Sequence, residues 1–203
     1  MIPTLELWDW RRQVGALYHA VRAAPEPRAG WELWRATRNT LFAHHPQSPL
    51  EAARRTGFSG LDLFPYDPAL RFAVALEPVE AAEERLPAGA DGEVALLPFA
   101  RTAGLQAALG GELTLYWIQA YAGGVFLPFR DATSGRDTYG AGRYLLDTIK
   151  SADLGSDADG RTVLDFNFAY NPSCAYSPRY VCPLAPRRNW LPAAIRAGER
   201  TPG

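Results

Sequence analysis

Both cysteines of this chain, Cys174 and Cys182, lie in one stretch near the C-terminus, and thiols are suited to nucleophilic or redox chemistry. The surrounding residues 165–189 carry four prolines. Because proline fixes φ and lacks an amide proton, this segment cannot form an ordinary helix or a central strand. We therefore predict a stiff loop of the kind that holds functional groups on a scaffold.

Three interpretations of the cysteine pair stay open. The thiols could be reduced and buried, packing as small apolar groups. They could form a disulfide across a short loop, which a reducing cytoplasm would oppose. They could be reactive, and Cys174 is then our candidate nucleophile, which would need a lowered pKa and a base within reach. The spacing fits no zinc pattern, so we predict no metal site, and the sequence does not identify a cofactor.

A second group of polar residues occupies one predicted turn and the strand that follows it. It consists of Arg130, Tyr139, Arg143 and Tyr144. A guanidinium matches the geometry of a carboxylate or phosphate, and a tyrosine hydroxyl adds a directional hydrogen bond. We interpret these residues as ligand contacts in which the two arginines hold an anionic group. The alternative is a charged turn whose ion pairs stabilise only the loop.

Three further polar residues come just before the cysteines. Asp165 and Asn167 alternate along a predicted strand, and Asn171 follows it. Polar side chains on the inner face of a sheet are costly unless they pair or meet a ligand. We therefore name Asp165 as the candidate general base and the two asparagines as candidate ligand contacts. The alternative makes Asp165 a structural hydrogen-bond acceptor.

Together these residues predict a pocket between the Arg130–Tyr144 turn and the Asn171–Asn189 loop. Such a pocket indicates a small-molecule-binding protein, or an enzyme, acting on a compact polar or carboxylated ligand. A different hypothesis is a non-catalytic interaction module, in which the aromatic, proline-rich loop docks a protein partner or a second copy in a homo-oligomer. In that case Tyr176, Tyr180 and Trp190 should form a flat exposed patch.

The rest of the chain predicts the elements that would position these residues. Apolar spacing of three and four predicts helices over residues 5–23 and 30–44, with a short helical turn at 50–56. From residue 58 onward the pattern is typical of short strands joined by tight turns. The predicted strands are Arg71–Glu77, Glu93–Arg101, Gly104–Leu109, Leu113–Tyr121, Gly124–Pro128, Gly142–Asp147 and Thr162–Ala169. We predict one α+β, mainly β domain over residues 1–203, in which a helical arm (1–56) packs on a curved antiparallel sheet or small β-barrel (57–203).

Composition excludes some partners. Charged residues make up 21% of the chain and the net charge is −1, so no basic excess favours nucleic-acid binding. The apolar runs are too short to cross a membrane. The N-terminus lacks the features of a signal peptide, and we therefore expect a cytoplasmic protein. The predicted pocket leads us to expect a small-molecule ligand as its partner.

Four blocks of sequence resemble an uncharacterised, largely bacterial family, domain of unknown function family 1684. The blocks are His45–Leu50, Phe64–Arg71, Phe129–Tyr144 and Asp165–Cys174 continuing through Asn189-Trp-Leu-Pro. The resemblance covers most of the chain, from about Trp31 to Glu199. It implies a shared fold but brings no established activity, cofactor or catalytic residue. Phe168 and Trp190 stand where basic residues are common in the family, which implies a less charged ligand here.

Overall fold

The N-terminal part of the chain forms a helical arm. The computed structural model describes residues 2–87, 92–119, 121 and 123–203, and the arm comprises α1 (Pro3–Arg22), α2 (Pro27–His44) and the short α3 (Ala52–Arg55). Each long helix begins earlier than predicted, because proline is well suited to the first helical turn, where its missing amide proton costs nothing. Within the described residues, no helix is both long and apolar enough to span a membrane.

The remainder forms one antiparallel sheet. Its strands are β1 (Arg71–Pro78), β2 (Glu84–Pro87), β3 (Glu93–Ala103), β4 (Thr114–Ile118), β5 (Gly124–Phe129), β6 (Arg143–Asp147) and β7 (Thr162–Asp165). The order across the sheet is β6-β5-β4-β3-β1-β7, and β2 pairs with β3. The expectation of an α+β, mainly β fold is confirmed.

The two outer strands are brought together beyond the end of β7. Tyr170, which follows β7, forms an antiparallel bridge with Tyr144 of β6. The two residues exchange backbone hydrogen bonds of 2.9 and 3.1 Å. The sheet is therefore nearly closed into a barrel, as the sequence predicted.

The helical arm covers one outer face of this barrel with aromatic side chains. Trp34 of α2 is fully buried and meets Phe168 edge to face at 5.4 Å between ring centroids. The indole of Trp31 donates to the backbone carbonyl of Asn167 at 3.0 Å. Burial of rings of this size dominates packing energetics, so the arm is held chiefly by these contacts.

Two predicted strands differ from the structure. Residues Gly104–Leu109 were predicted as a strand, and this is wrong, because Gln106–Leu109 form a short helix, α4. The carboxylate of Glu112 accepts the backbone N–H groups of Gly104, Leu105 and Gln106, which ties this turn closed. The strand predicted over Thr162–Ala169 ends at Asp165, because that side chain accepts the N–H of Asn167 and starts a 3₁₀ turn.

Two other strands differ from the sequence prediction in extent or existence. β2 has no counterpart among the predicted strands. The predicted strand Leu113–Tyr121 is confirmed as β4 over Thr114–Ile118, and residue 120 lies outside the described residues.

The C-terminal residues fold back onto the barrel through a buried arginine. Arg143 of β6 is almost fully buried, and its Nη2 donates to Asp131 Oδ2 at 2.8 Å and to the carbonyl of Ile195 at 3.0 Å. Its Nη1 donates to the carbonyls of Ala197 and Glu199. A charge taken out of water needs partners of this kind, so the tail is an integral part of the fold.

A second ion pair joins the same tail to the helical arm. Arg38 of α2 donates from Nε to Glu199 Oε1 at 3.0 Å. The other oxygen of Glu199 accepts the backbone N–H of Asn171 and the hydroxyl of Tyr176, each at 2.7 Å. Glu199 therefore connects helix, barrel and proline-rich loop.

Replacing Arg143 should unfold the protein readily. Arg143→Ala leaves Asp131 as an unpaired buried charge and several carbonyls without donors, so we expect a loss of about 3–5 kcal/mol in the free energy of unfolding. Urea denaturation followed by tryptophan fluorescence measures this. The matched control is Arg136→Ala in the same turn, where the side chain is exposed and a change within about 0.5 kcal/mol is expected. Equal stabilities of the two variants would contradict the structural role of Arg143.

Candidate functional site

Both cysteines border one surface cleft. The cleft has a volume of about 310 Å³. It is lined by Leu86, Cys174, Tyr180, Val181, Cys182 and Leu184. We call it the cysteine cleft. Apart from the two thiols and one phenol, these side chains are aliphatic, so the cleft offers an apolar surface with a small reactive group.

The proline-rich loop, residues 171–189, forms most of this cleft and is tied down at several points. The hydroxyl of Tyr144 donates to the carbonyl of Pro183 at 2.7 Å, which fixes the residue next to Cys182. The guanidinium of Arg54 donates to the carbonyl of Tyr176 at 3.2 Å. The loop is therefore positioned by barrel and helical arm together, and β2 contributes Leu86 to the cleft.

The turn that the sequence places at the boundary of the site lies beside the proline-rich loop, while the residues that line the cysteine cleft come from that loop and β2. The turn that begins at Arg130 lies against the proline-rich loop, because the N–H of Arg130 donates to the carbonyl of Asn189 at 2.9 Å. Further along the turn, the hydroxyl of Tyr139 lies 3.8 Å from Cys174 Sγ. The Tyr-bearing turn and the cysteine-bearing loop therefore meet.

The two thiols are adjacent and not bonded to each other. The backbone N–H of Cys174 donates to Cys182 Sγ at 3.4 Å, and the two thiols lie within hydrogen-bonding reach of each other. Both cysteines are free and half-buried. No group of three His, Cys, Asp or Glu side chains that could hold a metal occurs among the described residues.

The surroundings of the pair favour a thiolate on Cys182. The hydrogen bond from the Cys174 thiol, helped by the Cys174 N–H and the Lys150 ammonium, lowers the pKa of Cys182 against the effect of burial. The same hydrogen bond and burial raise the pKa of Cys174. Burial raises the pKa of Tyr139 to about 12, so its hydroxyl stays protonated at neutral pH. Of the two thiols, Cys182 is therefore the one that these contacts favour as the thiolate, with Cys174 as its hydrogen-bond donor.

The sequence makes Cys174 the candidate nucleophile, whereas the contacts in the structure favour a thiolate on Cys182. What distinguishes the two is a backbone N–H and the position of Lys150 in the 3₁₀ turn after β6. The shared loop signalled a thiol pair, but nothing in the residue order shows which sulfur receives these contacts.

Asp165 and Asn167 lie away from the cysteine cleft. Asp165 is fully buried, and its Oδ2 accepts from Arg71 at 3.1 Å. Burial raises the pKa of Asp165, although hydrogen bonds from Asn167 and Arg71 favour the charged form. The side chain of Asn167 exchanges two 2.8 Å hydrogen bonds with the backbone of Asp67. These contacts fasten the start of β1 to the end of β7.

The remaining predicted ligand contacts also meet partners within the chain. The terminal nitrogens of Arg143 are occupied by Asp131 and the C-terminal tail. Asn171 donates from Nδ2 to the carbonyl of Arg200 at 2.7 Å. The guanidinium of Arg130 stacks on Trp190, 4.2 Å from the ring centroid. The structure brings three of the predicted site residues together at the cysteine pair: Tyr139, Tyr144 and Cys174.

The predicted aromatic patch does not form as one surface. Tyr176 is buried against Phe42 at 5.0 Å between ring centroids and binds Glu199 through its hydroxyl. Trp190 is exposed, and Tyr180 lines the cysteine cleft. Tyr176 is therefore part of the core.

A second and larger cleft lies nearby and is lined by charged residues and small side chains. Its volume is about 530 Å³. It is lined by Ala82, Glu83, Glu84, Pro186, Arg187 and Arg188. Arg188 pairs with Glu84 at 2.9 Å, and Glu83 is paired with Arg85 at 3.0 Å. With no nucleophile in its lining, it is the weaker candidate despite its size.

The architecture defines the class of protein: a nearly closed antiparallel barrel with a helical arm and a thiol pair in a surface cleft. Within that class, the chain belongs to the family described as "Protein of unknown function (DUF1684)", whose model matches residues 56–200. The resemblance seen in the sequence blocks is confirmed. No curated protein matches the chain.

A solved structure supports the same fold. The chain is similar to an uncharacterized protein from gene locus rrnAC0354 of Haloarcula marismortui, solved by solution NMR, with 34% sequence identity and a TM-score of 0.58. The match covers 86% of this chain and 94% of that one.

The acidity of Cys182 can be measured by alkylation. We expect the rate of iodoacetamide reaction at Cys182, followed by peptide mass spectrometry, to rise with pH around a midpoint well below the ordinary thiol value, because only the thiolate reacts. Cys174 should react slowly throughout this range. Cys174→Ala removes the thiol donor and should move the midpoint upward, whereas Cys174→Ser keeps a donor and should move it less. A midpoint near the ordinary thiol value of about 8.5 in the unmodified protein would contradict the assignment.

Proposed function

We propose that this protein binds a compact, largely apolar small molecule in the cysteine cleft. The observation that carries the proposal is a cleft of about 310 Å³ whose aliphatic lining surrounds one acidic thiol. Ligand sites are typically concave, mostly apolar and furnished with few polar groups, with volumes from about 300 Å³ upward. The cleft is at the small end of that range and suits a molecule with a single ring or a short chain.

The charges around the cleft favour a neutral ligand over the carboxylated one expected from the sequence. The terminal nitrogens of Arg143 already have partners in the chain. Lys150 is paired with Asp147 at 2.6 Å. A thiolate on Cys182 would repel an anion at close range. The site as proposed uses reduced cysteines, which suits the cytoplasmic location expected from the sequence.

Two ligands of nearly equal size test this proposal. We expect benzyl alcohol to shift the methyl NMR signals of Leu86, Val181 and Leu184 in a saturable manner, and benzoate to do so more weakly, because the two differ mainly in charge. Tighter binding of benzoate would contradict the proposed neutral ligand. Absence of saturable shifts with benzyl alcohol would contradict the apolar site itself.

A matched pair of leucine variants separates the cleft from general surface hydrophobicity. Leu184 lines the cleft and is 52% exposed, while Leu5 in α1 is 47% exposed and far from it in sequence. Leu184→Ser should weaken benzyl alcohol binding roughly fivefold to tenfold through loss of apolar contact, and Leu5→Ser should leave it unchanged. Equal effects of the two substitutions would indicate non-specific binding.

A further inference from the structure

We propose that Cys182 and Cys174 form a catalytic dithiol that reduces small disulfide molecules entering the cysteine cleft. The inference rests on the proposed function in one respect only, that the cleft admits a small molecule. The chemistry itself needs two thiols in reach of each other and of solvent, and both cysteines are free, half-buried and part of the cleft wall.

The positions of the two sulfurs suit a nucleophilic and a resolving thiol. Cys182 Sγ lies 3.4 Å from the backbone nitrogen of Cys174. Cys174 belongs to a 3₁₀ turn, and Cys182 precedes a proline whose carbonyl is held by Tyr144. Because both residues are fixed by neighbouring contacts, the second thiol is already beside the first when a mixed disulfide forms there.

The reaction is a pair of thiol–disulfide exchanges. The Cys182 thiolate attacks one sulfur of a disulfide R–S–S–R, the S–S bond breaks, and one R–S⁻ leaves and takes up a proton. The Cys174 thiol then loses its proton to solvent and attacks Cys182 Sγ, which expels the second R–S⁻, and this also takes up a proton. The two electrons come from the two cysteine thiols, and the sum is R–S–S–R plus two protein thiols giving one protein disulfide plus two R–SH. A small dithiol from solution restores the reduced protein by the reverse exchange.

The groups that face the sulfurs act on both thiols: Lys150 favours a thiolate on Cys182, whereas the Tyr139 hydroxyl donates to Cys174 Sγ. Tyr139 faces them from the turn before β6, Tyr144 from β6, and Lys150 from the 3₁₀ turn after it. Burial raises the pKa of both tyrosines, so each stays a neutral donor. Lys150 places a positive charge near Cys182, and its ion pair with Asp147 reduces the effect of that charge on the thiol.

The loop does not depend on a disulfide for its conformation. Tyr144 holds Pro183, and Ser177 donates to Glu51 Oε1 at 3.1 Å. The side chain of Glu199 holds Asn171 and Tyr176. None of these anchors uses a sulfur atom, so the pair is suited to repeated oxidation and reduction, unlike a disulfide that staples a small fold.

The test uses 2-hydroxyethyl disulfide with the full-length protein at pH 7, quenched with N-ethylmaleimide and read by mass spectrometry. We expect the native chain to lose two hydrogens and both maleimide-reactive thiols, with little lasting mixed disulfide. Cys174→Ser should stop at one hydroxyethylthio group on Cys182. Cys182→Ser should react at least roughly tenfold more slowly, because burial still raises the pKa of the remaining Cys174 thiol.

Unfolding provides the matched control for preorganisation. In urea the two thiols are no longer held together, so conversion of the mixed disulfide to the protein disulfide should slow by at least roughly tenfold. The inference is overturned if the native chain accumulates a mixed disulfide, if Cys182→Ser reacts as fast as the native chain, or if unfolding leaves the closing step unchanged.

This test and the ligand test fail separately. If disulfide exchange occurs but benzyl alcohol does not bind, only the proposal of an apolar ligand site is contradicted. If benzyl alcohol binds saturably but no exchange occurs, only the proposed dithiol chemistry is contradicted.

Discussion

The fold depends on how the protein accommodates two largely buried guanidinium groups, those of Arg38 and Arg143. Each is buried away from water, where an unpaired charge would cost several kcal/mol. Asp131 and Glu199 supply the opposite charges, and backbone carbonyls near the C-terminus accept from the terminal nitrogens of Arg143, while its Nε is buried without a partner among the described residues. Because both arginines meet at Glu199, the end of the chain must lie between the helical arm and the barrel.

That requirement determines the position of the cysteine-bearing loop. The chain leaves β7, crosses to β6 at Tyr170 and must return to Glu199, so the intervening residues cover one end of the barrel. Prolines limit the conformations of this segment, and contacts from Tyr144 and Glu199 select one of them. The thiols are thereby brought next to each other and to Tyr139, far from the arm's histidines in sequence.

The sequence predicted helices and strands correctly where a local pattern determines them. It failed where residues distant in the chain determine the conformation or the role of a side chain. Alternation identified β1, β3, β5 and β6, and spacing of three and four identified α1 and α2. The α4 turn was mistaken for a strand because Glu112, several residues away, binds its amides. Arg143 was interpreted as a ligand contact because the residues next to it in the sequence do not indicate its partners at residues 131 and 195–199. Phe168 packs edge to face against Trp34, a contact between residues far apart in the sequence.

The short bridge between Tyr144 and Tyr170 has a consequence for behaviour at high concentration. It occupies the outer edge of β6, while Ala152 bridges Asp147 and Ser156 bridges Thr162 at the ends of β6 and β7. An exposed strand edge is a template on which another molecule can add a strand. At these positions on the two strands, backbone from the same chain already pairs with the strand edge. Another molecule would have to displace these covalently attached segments before it could add a strand to the sheet.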